Sequence, residues 1–271
     1  MIELLAPALV ACLLLACILS YFGLHVLLRE VIFVDLALAQ LAALGAAVGH
    51  LLSGHTDSFA TYLTSFGFTL AGAAIFALAR PARTRLPQEA LIGIVYGVSA
   101  ALVILLVSKS ALDRDDVESM LTGRLLFAEW GEIGAMALVF GAVALLHFAL
   151  RRQFLEISEQ SRTHTSPIQR QTLLDFVFYA SFGVAVTSSV QLSGVLVVFG
   201  LLIVPASCAA IFFARVSSRL LAGWLIGTIS SSAGIAASAI WDLPTGAAVV
   251  AALGVAFALF ALGSILSHEP G

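Results

Sequence analysis

Asp35 and Gln40 are the two polar side chains that interrupt the early apolar run VIFVDLALAQLAALGAAVGH, residues 31–50. A carboxylate and an amide oxygen are hard donors, suited to a cation such as manganese. Five residues make about 500° of helix rotation, so the two side chains project about 140° apart and form no chelating i, i+4 pair. Two readings of Asp35 follow. Either it pairs with Arg29 or caps backbone near a membrane surface, or it lines a cavity wall with Gln40. His50 closes the same run, with His55 and Asp57 just beyond, and imidazole with carboxylate is chemistry for zinc or manganese. Pro205 and Ser207, in GLLIVPASCAA, fall in the middle of another apolar run. The proline removes a helix hydrogen bond and is expected to kink the chain, opening carbonyls toward a path. His25, His147 and Asp175 stand near the ends of runs, where anchoring or contact with a polar segment is expected.

The elements that must position these residues are set by composition. The 271 residues are 61% hydrophobic and 11% charged, against roughly 45–50% and about 25% in soluble domains. With a mean hydropathy of +1.06, the chain reads as a polytopic membrane protein, all-α, a bundle of transmembrane helices. A net charge of −3 with no dense basic stretch excludes nucleic-acid binding. Cys12, Cys17 and Cys208 lie inside apolar runs without metal-ligand spacing and read as small hydrophobes. The leading charge, Glu3, is acidic and no small-x-small cleavage site follows, so the first run is expected to be a permanent span.

Runs of about 20 apolar residues fall near 4–27, 31–52, 58–79, 90–108, 131–150, 173–191, 194–214, 220–241 and 246–266. The two close pairs allow broken or re-entrant elements, so eight or nine spans are expected in one permease domain, residues 1–271. Glycines four apart (Gly45 and Gly49, Gly93 and Gly97, Gly223 and Gly227) and the run Ser230 to Gly234 predict close helix contacts. Trp241-Asp242-Leu243-Pro244-Thr245-Gly246 reads as a tight turn between two spans. An outside N-terminus places ten of the thirteen basic residues inside, among them Arg29, Arg83, Arg162 and Arg215. The longest inside segment, 151–172, is polar and predicts one short helix over Leu155–Arg162, ended by Pro167. An ordered polar helix there suggests a soluble partner, and a plain solvated loop is the alternative.

No G-x-x-x-x-G-K-[ST] loop occurs, so if ATP drives the protein another subunit must bind it. No Ser-His-Asp set, H-E-x-x-H motif or paired catalytic carboxylates can be recognised, which argues against a membrane enzyme. A secondary transporter or channel would show an inverted repeat, and the Pro205 region has no counterpart in the first half.

Several fragments in order resemble the permease subunits of the zinc/manganese/iron ABC importer family. Gln88-Glu89-Ala90-Leu91-Ile92-Gly93-Ile94 is similar to the family's Glu-Asp-x-x-Ile-Gly-Ile. Met120 to Leu126 resembles Leu-Leu-Phe-Gly-Asp-x-Leu, with Arg124 in place of the acidic residue. Gly194 to Ser207, followed by Ser238-x-x-x-Asp242-Leu243-Pro244-Thr245-Gly246, is the most similar stretch. The family carries Gly-Asp-Ala-Leu-Ser-His in its second span, where Asp and His resemble metal ligands. Aligned through Gly45, those positions are Leu36 and Gln40 here, and Asp35 replaces the family glycine.

The resemblance implies an ABC importer permease of the plasma (inner) membrane, packed as a homodimer around a central path. It further implies two separate ATPase subunits that bind ATP and an external substrate-binding protein that delivers the cargo, a divalent cation such as zinc or manganese. Leu155, Glu156, Glu159 and Arg162 lie where the family places its coupling helix. With the usual ligand pair replaced, a cation is handled by a set that includes Asp35, Gln40 and His50, or the cargo is something else. Topology is directly testable. In intact cells a membrane-impermeant thiol reagent should label Ser110→Cys and spare Ser161→Cys, and labelling of the second alone would reverse the orientation.

Overall fold

The computed structural model describes residues 2–53, 59–79, 87–107, 125–159 and 168–267. Among them every regular element is helical, as hydrocarbon demands, because an apolar surrounding leaves backbone polar groups only one another to bond. The order is α1 (Ile2–Arg29), α2 (Val34–Ser53), α3 (Phe59–Leu78), α4 (Gln88–Val107), a 3-10 turn (Leu125–Phe127), α5 (Trp130–Ala149), α6 (Arg151–Glu159), α7 (Ile168–Phe212), α8 (Val216–Trp241) and α9 (Thr245–Ser267). All but the short α6 are long and apolar enough to cross a membrane, giving eight such helices among the described residues.

The sequence shows nine apolar runs because 173–191 and 194–214 both fall in α7. Drawn straight at 1.5 Å per residue, its 45 residues would reach about 67 Å, twice the hydrocarbon thickness. The backbone leaves helical geometry at Gly194, with φ 76° and ψ 160°, a conformation that only glycine adopts readily. The break in helical geometry within this element therefore falls at Gly194. Pro205 sits in helical backbone, since a missing N–H deletes one bond that a helix can absorb by bending. A φ of 76° cannot be absorbed that way.

Close packing divides the described residues into two compact units, one drawn from 1–27, 118–144 and 188–271, the other from 28–117 and 145–187. In the second unit α2 packs on α3 and α4. A Cβ at Gly45 would strike the backbone of Thr64 and Ser65, and one at Gly49 would strike Thr61 and the Thr64 hydroxyl. The Ser65 hydroxyl donates to the Ala42 carbonyl at 2.9 Å across the same contact. Small residues let the two backbones meet, which is what their four-residue spacing predicts.

In the first unit α8 packs on α1 through Gly223 and Gly227, which face Ser20 and Ala16. The Trp224 indole N–H donates to the Cys17 carbonyl at 2.9 Å. A Cβ at Gly234 would meet the backbone of Val249 in α9. Gly93 and Gly97 face open space in this chain, so that predicted contact is not made within it. The turn between α8 and α9 is the tight one expected. Asp242 is left-handed (φ 52°, ψ 46°), and the Ser238 hydroxyl donates to the Leu243 carbonyl at 2.7 Å.

The short polar helix exists, but it begins four residues before the predicted Leu155, at Arg151. Phe154 and Ile157 are both buried and Arg151, Arg152 and Glu156 are exposed. The apolar face starts at Phe154, so the helix must start a turn earlier to present it. Helical bonding runs almost without interruption from α5, with Leu150 and Phe154 N–H groups donating to Leu146 and Leu150 carbonyls at 3.0 Å. Arg162 and the acidic stretch 109–124 lie outside the described residues, as do His55 and Asp57.

Candidate functional site

Arg29, the last residue of α1, sits at the centre of a buried polar cluster in the second unit. Its Nη1 donates to Asp175 Oδ1 at 2.8 Å, with the two side chains 3% and 1% exposed. Its Nε donates to the Ser158 hydroxyl of α6 at 2.9 Å. The face of the guanidinium lies 3.8 Å from the centroid of the Phe178 ring, an arrangement in which the ring quadrupole adds to the attraction. One side chain thus ties the end of α1 to α6 and to α7. The chain reverses just beyond it, where Glu30 takes a left-handed φ of 57°.

His147, at the end of α5, completes this layer. Its ring stacks on Phe154 of α6 with centroids 4.5 Å apart, and its Nε2 lies 2.7 Å from the Ser181 hydroxyl of α7. His147 and Asp175, expected to anchor or to touch the polar segment, do so here. Asp175 reaches α6 through Arg29, and His147 reaches it directly. Arg29 thus bonds Asp175 and Ser158 rather than Asp35, which leaves backbone capping as the other half of that reading of Asp35.

Asp35 lies in the first turn of α2 and is 1% exposed. Its carboxylate is held by the backbone N–H groups of Asp35 and Leu36, the usual way an acid caps the positive end of a helix. Its Oδ1 is buried and meets no donor among the described residues. The charge of another carboxylate acts on it, that of Glu89 in the first turn of α4. Glu89 accepts a hydrogen bond from the Ile32 N–H through Oε1, while its Oε2 is buried without a partner among the described residues. Beside it, the Gln88 amide donates to the Tyr179 hydroxyl at 2.8 Å and to the Phe76 carbonyl at 3.3 Å. The Gln88-Glu89 pair thus fixes the start of α4 against α7, α3 and the turn before α2.

The other expected residues are more dispersed. Gln40 is half-buried on α2, five positions from Asp35 on an unbroken helix. His50 is in the last turn of α2, about 22 Å along the axis from Asp35, so these two cannot ligate one ion together; its Nδ1 is buried without a partner among the described residues. Pro205, buried, and Ser207, half-buried, belong to the other unit. Leu155 is half-buried and Glu156 exposed on α6, with Glu159 its last residue. Sequence reasoning gave no role to Glu89, although its motif was legible.

The Arg29–Asp175 pair carries a clear expectation. Removing one partner strands the other charge in the interior, a loss of about 3–5 kcal/mol, whereas removing both charges together costs far less. Arg29→Met should sharply lower the thermal midpoint of the detergent-solubilised protein, and Arg29→Met with Asp175→Asn should recover most of that drop. An unchanged midpoint in the single variant would show that the pair contributes nothing.

Comparisons with known proteins agree with this architecture. Residues 1–264 match the ABC 3 transport family. Over 216 residues, 78% of this chain and 69% of the relative, it is 26% identical to the manganese transport system membrane protein MntB of Synechocystis sp.. It is 24% identical over 271 residues to MntC, a manganese transport system membrane protein of Halalkalibacterium halodurans, covering 98% of this chain and 88% of that one. Among solved structures, PsaBC from Streptococcus pneumoniae in complex with Fab superposes with a TM-score of 0.75 at 20% identity, covering 95% of this chain and 90% of that chain. Such a likeness speaks for the fold. The family match spans nearly the whole sequence, and the chain belongs to the ABC 3 transport family, as a multi-pass plasma-membrane transport subunit and not an enzyme.

Proposed function

We propose that the chain is the permease subunit of an ABC importer for a divalent metal cation, manganese or zinc, powered by ATP on a separate subunit. The observation that carries this reading is Asp35, a buried carboxylate with one oxygen unmet among the described residues, while Arg29 bonds Asp175. An ionised carboxylate at that depth needs a compensating cation, and an arriving metal ion supplies it. Relatives named as manganese transport membrane proteins support the same cargo. Oxygen donors from Asp35 and Gln40 suit manganese better than an imidazole set would. Residues 1–271 act as one permease domain. Gln40 lies further along α2, and Pro205 and Ser207 on α7 are further transport candidates. Two copies form the path, and an external binding protein delivers the ion.

The energy enters through α6 and the segment 151–172. The outward face of α6 offers Arg151, Arg152 and Glu156 to a soluble partner, and Leu155, Glu159 and Arg162 belong to the same coupling segment in sequence. Its inward face is fixed to α1 through Ser158 and Arg29, so a push from an ATPase would reach the membrane helices without slack.

Two outcomes follow. Asp35→Asn preserves shape and backbone capping but removes the charge, and it should reduce manganese accumulation by cells to background while expression and ATPase association stay intact. Normal accumulation by a well-expressed variant would take Asp35 out of the path. Glu156→Lys combined with Glu159→Lys should weaken recovery of the ATPase in a detergent pull-down, and undiminished recovery would place the docking surface elsewhere.

A further inference from the structure

We infer that Asp35 and Glu89 together bind one divalent cation where the first turns of α2 and α4 meet. The inference deepens the transport reading above and rests on it for the identity of the ion. Helix α2 packs directly on α4, and the Glu89 carboxylate is close enough for its charge to act on Asp35. Each acid spends one part of its bonding capacity on backbone. Asp35 takes the N–H groups at the start of α2, and Glu89 takes the Ile32 N–H. Each then keeps one buried oxygen, Asp35 Oδ1 and Glu89 Oε2, that no donor in the described residues meets.

Two carboxylates close enough to feel each other's charge repel, the more so away from bulk water. Among the described residues no basic side chain bonds either unmet oxygen. Arg29 donates to Asp175 and Ser158, His147 bonds Ser181, and Gln88 gives its amide protons to Tyr179 and Phe76. A divalent cation between the two unmet oxygens neutralises both charges at once. All-oxygen ligation selects a hard ion, manganese or magnesium in type, over a thiophilic one. The backbone bonds also fix both carboxylates before the ion arrives, so little ordering is left to oppose binding.

The rival occupant is a proton shared by the two acids, and the choice of variants separates the two. Glu89→Gln keeps the acceptor for the Ile32 N–H and supplies an amide donor toward Asp35, so it mimics a shared proton and removes half of a cation site. The full-length chain in nanodiscs, checked for folding by its thermal midpoint, is titrated with manganese chloride alone and free manganese is read by electron paramagnetic resonance. Wild type should hold one manganese per chain, and Glu89→Gln and Asp35→Asn should each weaken it by about tenfold or more, with Glu89→Asp falling between. Equal manganese binding by wild type and Glu89→Gln, or no binding by wild type, would overturn the inference in favour of the shared proton. If Asp35→Asn abolishes uptake while Glu89→Gln leaves binding and uptake intact, the paired site fails and the transport reading stands. If both variants lose manganese yet transport it normally, the site stands and the transport role of Asp35 fails.

Discussion

A guanidinium and a carboxylate taken out of water each lose several kcal/mol of solvation, and only close mutual contact with further hydrogen bonds makes the pair tolerable. Arg29 and Asp175 meet that condition at 2.8 Å, with Ser158 on the guanidinium Nε and Phe178 beneath its plane. The pairing joins the end of α1, the short α6 and the start of α7. Because α6 is only nine residues long, it has little apolar face of its own and depends on this anchorage and on Phe154 packed against His147. An isolated helix of that length would be marginal in water.

The same pairing governs the charge balance around α2. With Arg29 committed, the acids at the start of α2 and α4 have no basic side chain to answer them among the contacts described, and both keep an unmet oxygen. Natural proteins seldom leave buried acceptors in that state without a use. Structure and function therefore meet in one arrangement: the positive charge closes the junction with α6, and the negative charges beside it stay available to a mobile cation. The loss of the family's Asp and His positions to Leu36 and Gln40 then reads as a relocation of ligand chemistry by one residue, to Asp35, with a second acid across the helix contact.

Much of the fold was legible because it follows from local rules. Twenty-residue apolar runs gave the spanning helices, and the spacing of Gly45 and Gly49 gave the α2–α3 contact. Ser238 to Gly246 gave the turn between α8 and α9. What escaped the sequence is non-local. Arg29 and Asp175 are 146 positions apart, and nothing in either neighbourhood marks the other. Glu89 stood in a recognisable motif, but its nearness to the start of α2 comes from helix packing. The departure from helical geometry in α7 came at Gly194, one glycine among 22 and distinguished only by its φ. The start of α6 was misplaced because its charged first turn conceals an apolar face that begins at Phe154.

The central claim, that Asp35 is left unpaired by Arg29 so that a transported cation can bind it, is tested most directly by locating the ion. Crystals of the complete transporter grown with manganese, with anomalous diffraction collected at the manganese edge, would show where the metal rests. The account predicts an anomalous peak within coordination distance of Asp35 Oδ1, with Arg29 still bonded to Asp175. A peak elsewhere in the chain, or Asp35 turned onto Arg29 in the loaded protein, would contradict it.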